Sequence, residues 1–139
     1  MPVAIDTSIL ISAEKEGGFE QLLPEEELGP YYIPALAAAE FLVGTHPPVR
    51  ADLRQRASHL YHTRLQALVS GFTEADAAQL SALIAELRAK GQQMKFFDAA
   101  IAATVAHQAQ CPIRAASELA ENRARTIRAT RTDTPCPVR

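Results

Sequence analysis

The chain has 139 residues, 47% of them hydrophobic, which fits one domain of ordinary size with a buried core. Its formal net charge of −2 does not by itself indicate any class of partner. No apolar run approaches the ~20 residues of a membrane helix and no basic stretch precedes the first predicted strand, so neither a membrane span nor a signal peptide is expected.

The first half of the chain is predicted to alternate strands and helices. In chain order the predicted elements are a strand at 2–6, a helix at 7–15, a short helix at 19–23, an acidic loop at 24–30, a strand at 31–33, a helix from Pro34 to about 43 and a polar helix at about 48–63. Thr7 or Ser8 is the expected N-cap of the first helix, and Gly17-Gly18 ends it. Gly44 ends the helix that Pro34 opens.

The second half continues the alternation. It comprises a strand at 66–72, helices at 74–89 and 96–108, and a strand at 111–113. Thr73 with Asp76 three residues later predicts an N-cap followed by first-turn acids. The helix 74–89 has apolar residues at helical spacing, namely Ala77, Leu80, Leu83, Ile84 and Leu87, and Gly91 follows its end.

Strands that alternate with helices predict a parallel sheet covered by helices on both faces. The fold class is therefore α/β, a three-layer α/β/α sandwich with a central parallel β-sheet. Sites in such folds form at the carboxyl ends of strands, and Asp6 lies at the end of the first predicted strand.

Three acids stand in apolar settings. Asp6 follows the strand VAI, Glu40 lies within PALAAAEFLVG, and Asp98 lies near the start of FFDAAIAATVA. Each acid alone is explained by a helix cap or an internal hydrogen bond. Carboxylates gathered at one point repel each other, however, and a divalent cation removes that repulsion. Ligands that are all oxygen favour Mg²⁺ or Mn²⁺ over zinc.

Over about residues 1–110 the sequence resembles the PIN domain, and most closely the VapC-like ribonuclease toxins of type II toxin–antitoxin systems. The resemblance is carried by DTSIL (6–10), AAAEFLVG (37–44), FTEADAAQLSALIAELRAKGQQM (72–94) and FFDAAIAATVAHQ (96–108). It implies that Asp6, Glu40 and Asp98 bind Mg²⁺ or Mn²⁺ and support endonucleolytic cleavage of RNA. It also implies a cognate antitoxin as partner, held by the first two helices and the YYI region, and a homodimer.

Charge is distributed unevenly along the chain. Residues 1–47 carry eight acids and one base, whereas residues 48–139 carry eight acids and thirteen bases. The acids of the site would repel RNA, so basic groups must offset them, and the candidates are Arg50, Arg54, Arg56, Arg64 and Lys95. The alternative is that these bases only keep helix faces soluble.

Hydroxyl side chains beside Asp6 are candidate supporting residues of the site. Ser8 is expected either to hydrogen-bond a ligand carboxylate or metal-bound water, or to cap the first helix. Thr7 has the same two alternatives, as a supporting hydroxyl or an N-cap.

The C-terminal part departs from the family pattern. Related toxins carry a fourth acid here, after a hydroxyl residue and before an aromatic, whereas this chain has RAASELAEN at 114–122. Either Glu118, with Ser117 before it, replaces that acid, or the site has three acids only. We assign the domain to residues 1–122 and a loosely ordered tail to 123–139.

These observations predict a divalent-metal-dependent endoribonuclease that acts as the toxin of a toxin–antitoxin pair. One alternative is a catalytically impaired domain of the same fold that binds a partner protein or RNA without cleaving it. The other is a structural domain whose acids are ordinary helix caps. Two cysteines, Cys111 and Cys136, without metal-binding spacing, favour a cytoplasmic protein with free thiols and leave a disulfide open.

Overall fold

A computed structural model describes residues 3–17 and 30–109. The chain divides into two compact units, Met1–Gly71 and Phe72–Arg139, which are described in turn. The predicted helix at 19–23, nearly all of the acidic loop at 24–30 and the predicted strand at 111–113 lie outside the described residues, as do both cysteines.

The first unit contains a parallel sheet. Its strands are β1 (Val3–Ala4), β2 (Tyr31–Pro34) and β3 (Val69–Ser70), with β2 in the middle of the three. Val3 pairs with Tyr31 and Ile33 pairs with Val69, both in parallel register. The backbone of Ile5 extends the first pairing, since its N–H donates to the carbonyl of Tyr32 at 2.9 Å. The predicted parallel arrangement is confirmed.

Three α-helices accompany these strands: α1 (Thr7–Glu16), α2 (Ala35–Val43) and α3 (Ala51–Leu60). A π-helical turn (Tyr61–Leu65) and a 3₁₀ turn (Gln66–Leu68) then lead from α3 into β3. The predicted strand at 66–72 is therefore wrong at its start, where Gln66–Leu68 form the 3₁₀ turn. The polar helix predicted at about 48–63 begins three residues later, at Ala51.

Apolar side chains of strands and helices form the core of the first unit. The fully buried members include Leu10 of α1, Ile33 of β2 and Leu65 of the π-helical turn. The nearly all-apolar helix α2 is not buried on every side, because Val43 is 69% exposed. Only one face of α2 is fully buried, through Ala37, Ala38 and Phe41, and this face places Glu40 at the edge of the core rather than inside it.

The second unit is a pair of packed helices, α4 (Glu74–Ala89) and α5 (Phe96–Gln108), with the bounds that the sequence predicts. Thr73 and Asp76 form a reciprocal capping box at the start of α4. Leu80, Leu83 and Leu87 are buried as predicted, whereas Ala77 is exposed. Alanines 99, 100, 102, 103 and 106 of α5 are buried, and their small side chains allow the two helices to approach closely.

Two predicted helix starts are corrected. The N-cap of α1 is Asp6, with φ −84° and ψ 157°, and neither Thr7 nor Ser8. Pro34 is the last residue of β2 and precedes α2, so it is not the first helical residue. Pro34 is both the last residue of β2 and the N-cap of α2, whereas Ile5 and Asp6 lie between the end of β1 and the start of α1. No helix within the described residues is long and apolar enough to cross a membrane.

Candidate active site

Asp6 occupies the point where β1 passes into α1. Its Oδ1 accepts a hydrogen bond from the backbone N–H of Thr7 at 2.8 Å, and its Oδ2 accepts one from the Ser8 hydroxyl at 3.2 Å. The carboxylate is half-buried at the carboxyl end of the strand. Of the two roles predicted for Ser8, the structure shows the hydrogen bond to a candidate ligand carboxylate.

Thr7 joins Asp6 to a second carboxylate that is distant in sequence. Its hydroxyl donates to Glu40 Oε2 at 2.6 Å, while its backbone N–H donates to Asp6. Glu40 is half-buried on α2, and α2 packs against α1. The structure therefore brings Asp6 and Glu40 together around one threonine.

The donor atoms gathered here are carboxylate and hydroxyl oxygens. Such a set, with no nitrogen or sulfur, matches the preference of Mg²⁺ and Mn²⁺ for oxygen ligands. Hydrogen bonds from Thr7 and Ser8 fix the orientation of both carboxylates, as outer-shell donors do around metal ligands. On the chemistry of its donors, this cluster fits a divalent cation.

Asp98 belongs to the second unit. It lies in the first turn of α5, half-buried, directly after the exposed Phe96 and Phe97. A first-turn acid interacts favourably with the helix dipole. Within residues 3–17 and 30–109, no group of three or more His, Cys, Asp or Glu side chains that could hold a metal ion is found. Ser117 and Glu118 lie outside the described residues.

The basic residues predicted to meet RNA differ in their contacts. Arg50 is exposed and binds Asp52 through two nitrogens, at 2.9 and 3.2 Å. Arg54 donates to the carbonyl of Val49 at 3.1 Å, and Arg56 donates to Glu14 at 3.0 Å. Arg64 and Lys95 are exposed.

A contact between Asp76 and His107, which the sequence did not reveal, connects α4 and α5. Asp76 is fully buried, and its Oδ1 lies 2.8 Å from His107 Nδ1 near the end of α5. Its Oδ2 accepts hydrogen bonds from both the backbone and the hydroxyl of Thr73, each at 2.7 Å. The sequence assigned Asp76 only to the first turn of α4. The sequence signal for this contact is an acid at the start of one helix and a histidine at the end of the next. These two helix ends meet when consecutive helices pack antiparallel.

Opposing influences set the pKa of Asp76. Burial raises it, whereas the hydrogen bonds from the side chain and backbone of Thr73, and the hydrogen bond and charge of His107, lower it. The net effect holds the pKa of Asp76 below its usual range. The carboxylate therefore stays ionised in the folded protein, and its contact with His107 links α4 to α5.

The fold is of the α/β class, a parallel sheet with helices. Its candidate oxygen-ligand site contains a carboxylate just beyond the first strand, at the start of α1. The PIN-domain family model matches residues 3–112, and the chain belongs to this family. The match confirms the predicted fold class, the α/β sandwich.

Several solved structures share this fold. VapBC-5 of Mycobacterium tuberculosis, a member of the VapBC family of toxin–antitoxin systems, is similar with a TM-score of 0.60 and 21% identity, over 78% of this chain and 79% of that one. VapBC2 of Rickettsia felis, bound to a promoter DNA fragment, has a TM-score of 0.61 and 20% identity, over 74% and 78% of the two chains. FitAcB of Neisseria gonorrhoeae has a TM-score of 0.59 and 19% identity, over 88% and 94%. The comparison with curated proteins gave no significant match.

Proposed function

We propose that this protein is a divalent-metal-dependent endoribonuclease and the toxin of a toxin–antitoxin pair. The observation that carries the proposal is the joining of Asp6 and Glu40 through Thr7 in a chain that belongs to the PIN-domain family. The structural neighbours from VapBC and FitAcB systems support the assignment to a toxin–antitoxin pair.

The site proposed here consists of three acids and their supporting hydroxyls. Asp6, Glu40 and Asp98 hold Mg²⁺ or Mn²⁺. Either Glu118, with Ser117 before it, is a fourth ligand, or the three acids complete the set. When bound, the cation neutralises negative charge that develops on the phosphate during cleavage. Thr7 and Ser8 hold the carboxylates in place, so that the donor oxygens are oriented before the substrate arrives.

Basic side chains bind the RNA backbone in this proposal. Exposed Lys95 precedes α5, three residues before Asp98, so its ammonium group is available to a phosphate near that acid. Arg50 and Arg54 are further candidates. Arg50 exchanges its pairing with Asp52 for a phosphate, at little cost because an exposed ion pair contributes about 1 kcal/mol or less.

The antitoxin is proposed to bind near the acidic site. A segment that lies against α1, α2 and the strand Tyr31–Pro34 can direct a cationic side chain toward Asp6 and Glu40 and block access of RNA. The active toxin is proposed to be a cytoplasmic homodimer.

The test is a cleavage assay on single-stranded RNA with Mg²⁺ or Mn²⁺. Asp6→Asn keeps the shape of the side chain but removes its charge, and we expect the cleavage rate to fall roughly 100-fold or more. Glu74→Gln is the matched control, since Glu74 is an exposed acid of α4 with no role in the proposal. Undiminished cleavage by Asp6→Asn would refute the assignment of Asp6 to the site.

A second candidate function is binding of RNA or a partner without cleavage. The sequence at 114–122 favours it, because RAASELAEN lacks the aspartate and aromatic of the related toxins. Calorimetry separates the two candidates: tight Mn²⁺ binding without cleavage of any RNA supports the second, whereas Mn²⁺ binding with cleavage supports the first.

A further inference from the structure

A pocket opens where α4 ends and α5 begins, within the second unit. It has a volume of about 330 Å³. Leu87 and Ala99 are buried members of its lining, while Phe96 is 61% exposed. This volume lies at the small end of the range of ligand pockets, ~300–1,000 Å³, which suits one planar group rather than a folded protein segment.

Two aromatic rings are presented at this pocket. Phe96 belongs to the lining, and Phe97 packs beside it with the ring centroids 6.3 Å apart and the planes at 86°. Phe97 is 42% exposed, so both rings offer surface to solvent. Exposed aromatic side chains beside a cavity are typical of binding sites.

The polar part of the lining carries hydrogen-bonding groups and a positive charge. Arg88, Gln92 and Gln93 are exposed at the pocket, and no acidic residue belongs to its described lining. An amide side chain offers both a donor and an acceptor, as the edge of a nucleobase does, and a guanidinium stacks on bases or pairs with phosphate.

We propose that this pocket binds an unpaired base of an RNA strand, with Phe96 as the stacking surface. Stacking on aromatic side chains is how proteins hold splayed bases of single-stranded RNA. Phe96 lies two residues before Asp98 on the same helix, so the base would belong to a nucleotide near the phosphate to be cleaved. This inference rests on the proposed ribonuclease function and adds a subsite that selects unpaired RNA.

The absence of tryptophan from the sequence allows a direct test. Phe96→Trp introduces a single indole at the pocket, whose fluorescence reports stacking. In EDTA, where the metal site is empty, we expect a short unpaired oligoribonucleotide to quench this fluorescence saturably. The same oligonucleotide in a duplex should bind at least about tenfold more weakly, since its bases are already stacked.

The matched control is Phe72→Trp. Phe72 precedes α4 in the same unit, is 37% exposed, and is not part of the pocket lining. Its indole should show no saturable quenching by the oligonucleotide. Equal quenching of both variants would mean contact without a defined subsite and would overturn the proposal.

A second series separates stacking from apolar contact. With a labelled oligonucleotide, Phe96→Ala should raise the Kd roughly 5- to 50-fold. Phe96→Leu, which keeps apolar bulk but lacks a π face, should also bind weakly, whereas Phe96→Trp should retain the affinity. Full affinity of Phe96→Leu would contradict base stacking.

The remaining outcomes distinguish this inference from the proposed function. Base stacking without RNA cleavage would support the base-binding subsite and refute the ribonuclease function. RNA cleavage with an unchanged KM in Phe96→Ala would support the ribonuclease function and refute the subsite. If the indole of Phe96→Trp responds to dilution or to a partner protein but to no oligonucleotide, the face is a protein interface and the inference is wrong.

Discussion

Thr7 is the residue through which two carboxylates, remote in sequence, are held together. Its backbone N–H fixes Asp6 and its hydroxyl fixes Glu40 at 2.6 Å. A charge-assisted hydrogen bond of this kind is roughly twice as strong as one between neutral groups. The threonine is therefore a positioning residue whose effect is exerted through Glu40.

We expect Thr7→Val to lower Mn²⁺ affinity and the rate of RNA cleavage, each roughly 10- to 100-fold, because Glu40 loses the donor that orients it. Thr7→Ser keeps the hydroxyl and should retain most of both properties. The measurements are calorimetric titration with Mn²⁺ and a cleavage time course. Equal behaviour of the valine and serine variants would contradict the role given to the hydroxyl.

Asp76 determines how the stability of the second unit depends on pH. Its pKa is lowered in the folded protein, so its contribution to stability is fully present above the unfolded pKa, ~3.9 for an aspartate. That contribution is lost as the pH falls from the unfolded pKa through the lower folded one. The loss should therefore be confined to acid conditions.

Asp76→Asn should reduce the free energy of unfolding at neutral pH by about 2–3 kcal/mol, since the variant loses a buried charge-assisted pair with His107. Urea unfolding at several pH values measures this, and the variant should show a shallower loss of stability below about pH 4. Asp52→Asn, which affects an exposed pair, should change stability by less than about 1 kcal/mol. If the loss of stability below about pH 4 is the same in Asp76→Asn as in the unaltered protein, Asp76 does not cause that loss.

At the scale of elements, the turn between α4 and α5 depends on one backbone conformation. Gly91 has φ +68°, and the N–H of Gln92 reaches back to the carbonyl of Leu87 at 2.8 Å to close the helix end. This left-handed conformation strains any side chain with a Cβ, although the space around Gly91 is open.

We expect Gly91→Ala to cost about 1–2 kcal/mol of unfolding free energy, measured by urea denaturation. Gly71→Ala is the matched control, because a Cβ there also meets nothing within 4 Å but φ is not positive. The control should change stability little or increase it slightly. Equal costs at the two positions would show that the left-handed conformation is not the cause.

Elements were predictable where the signal was local. The bounds of α4 and α5 follow from the Thr73 cap, the Gly91 turn and the apolar spacing between them. The strand predicted at 66–72 was wrong at its start because an apolar run does not distinguish a strand from a 3₁₀ turn. The sequence does not indicate Asp6 as the N-cap of α1, because the apolar run before it predicts a strand that ends at residue 6, whereas β1 ends at Ala4.

At the scale of the whole molecule, the candidate site was predictable only in its residue types. The apolar sequence around Asp6, Glu40 and Asp98 indicates these acids as candidate site residues, and the family resemblance predicts that they bind a divalent cation together. The contact between Thr7 and Glu40 joins residues of different helices, which no periodicity in the sequence encodes. Burial of Asp76 against His107 was hidden for the same reason.

The proposed function depends on the proposal that Asp6, Glu40 and Asp98 hold one divalent ion, and calorimetric titration with Mn²⁺ tests that proposal most directly. Asp6→Asn, Glu40→Gln and Asp98→Asn should each raise the Kd for Mn²⁺ roughly tenfold or more, since each removes a charged ligand. Glu74→Gln, another first-turn acid of the second unit, is the control for Asp98 and should leave the Kd unchanged. If Asp98→Asn binds Mn²⁺ as tightly as the unaltered protein while Asp6→Asn does not, the three acids do not share an ion and the account is wrong.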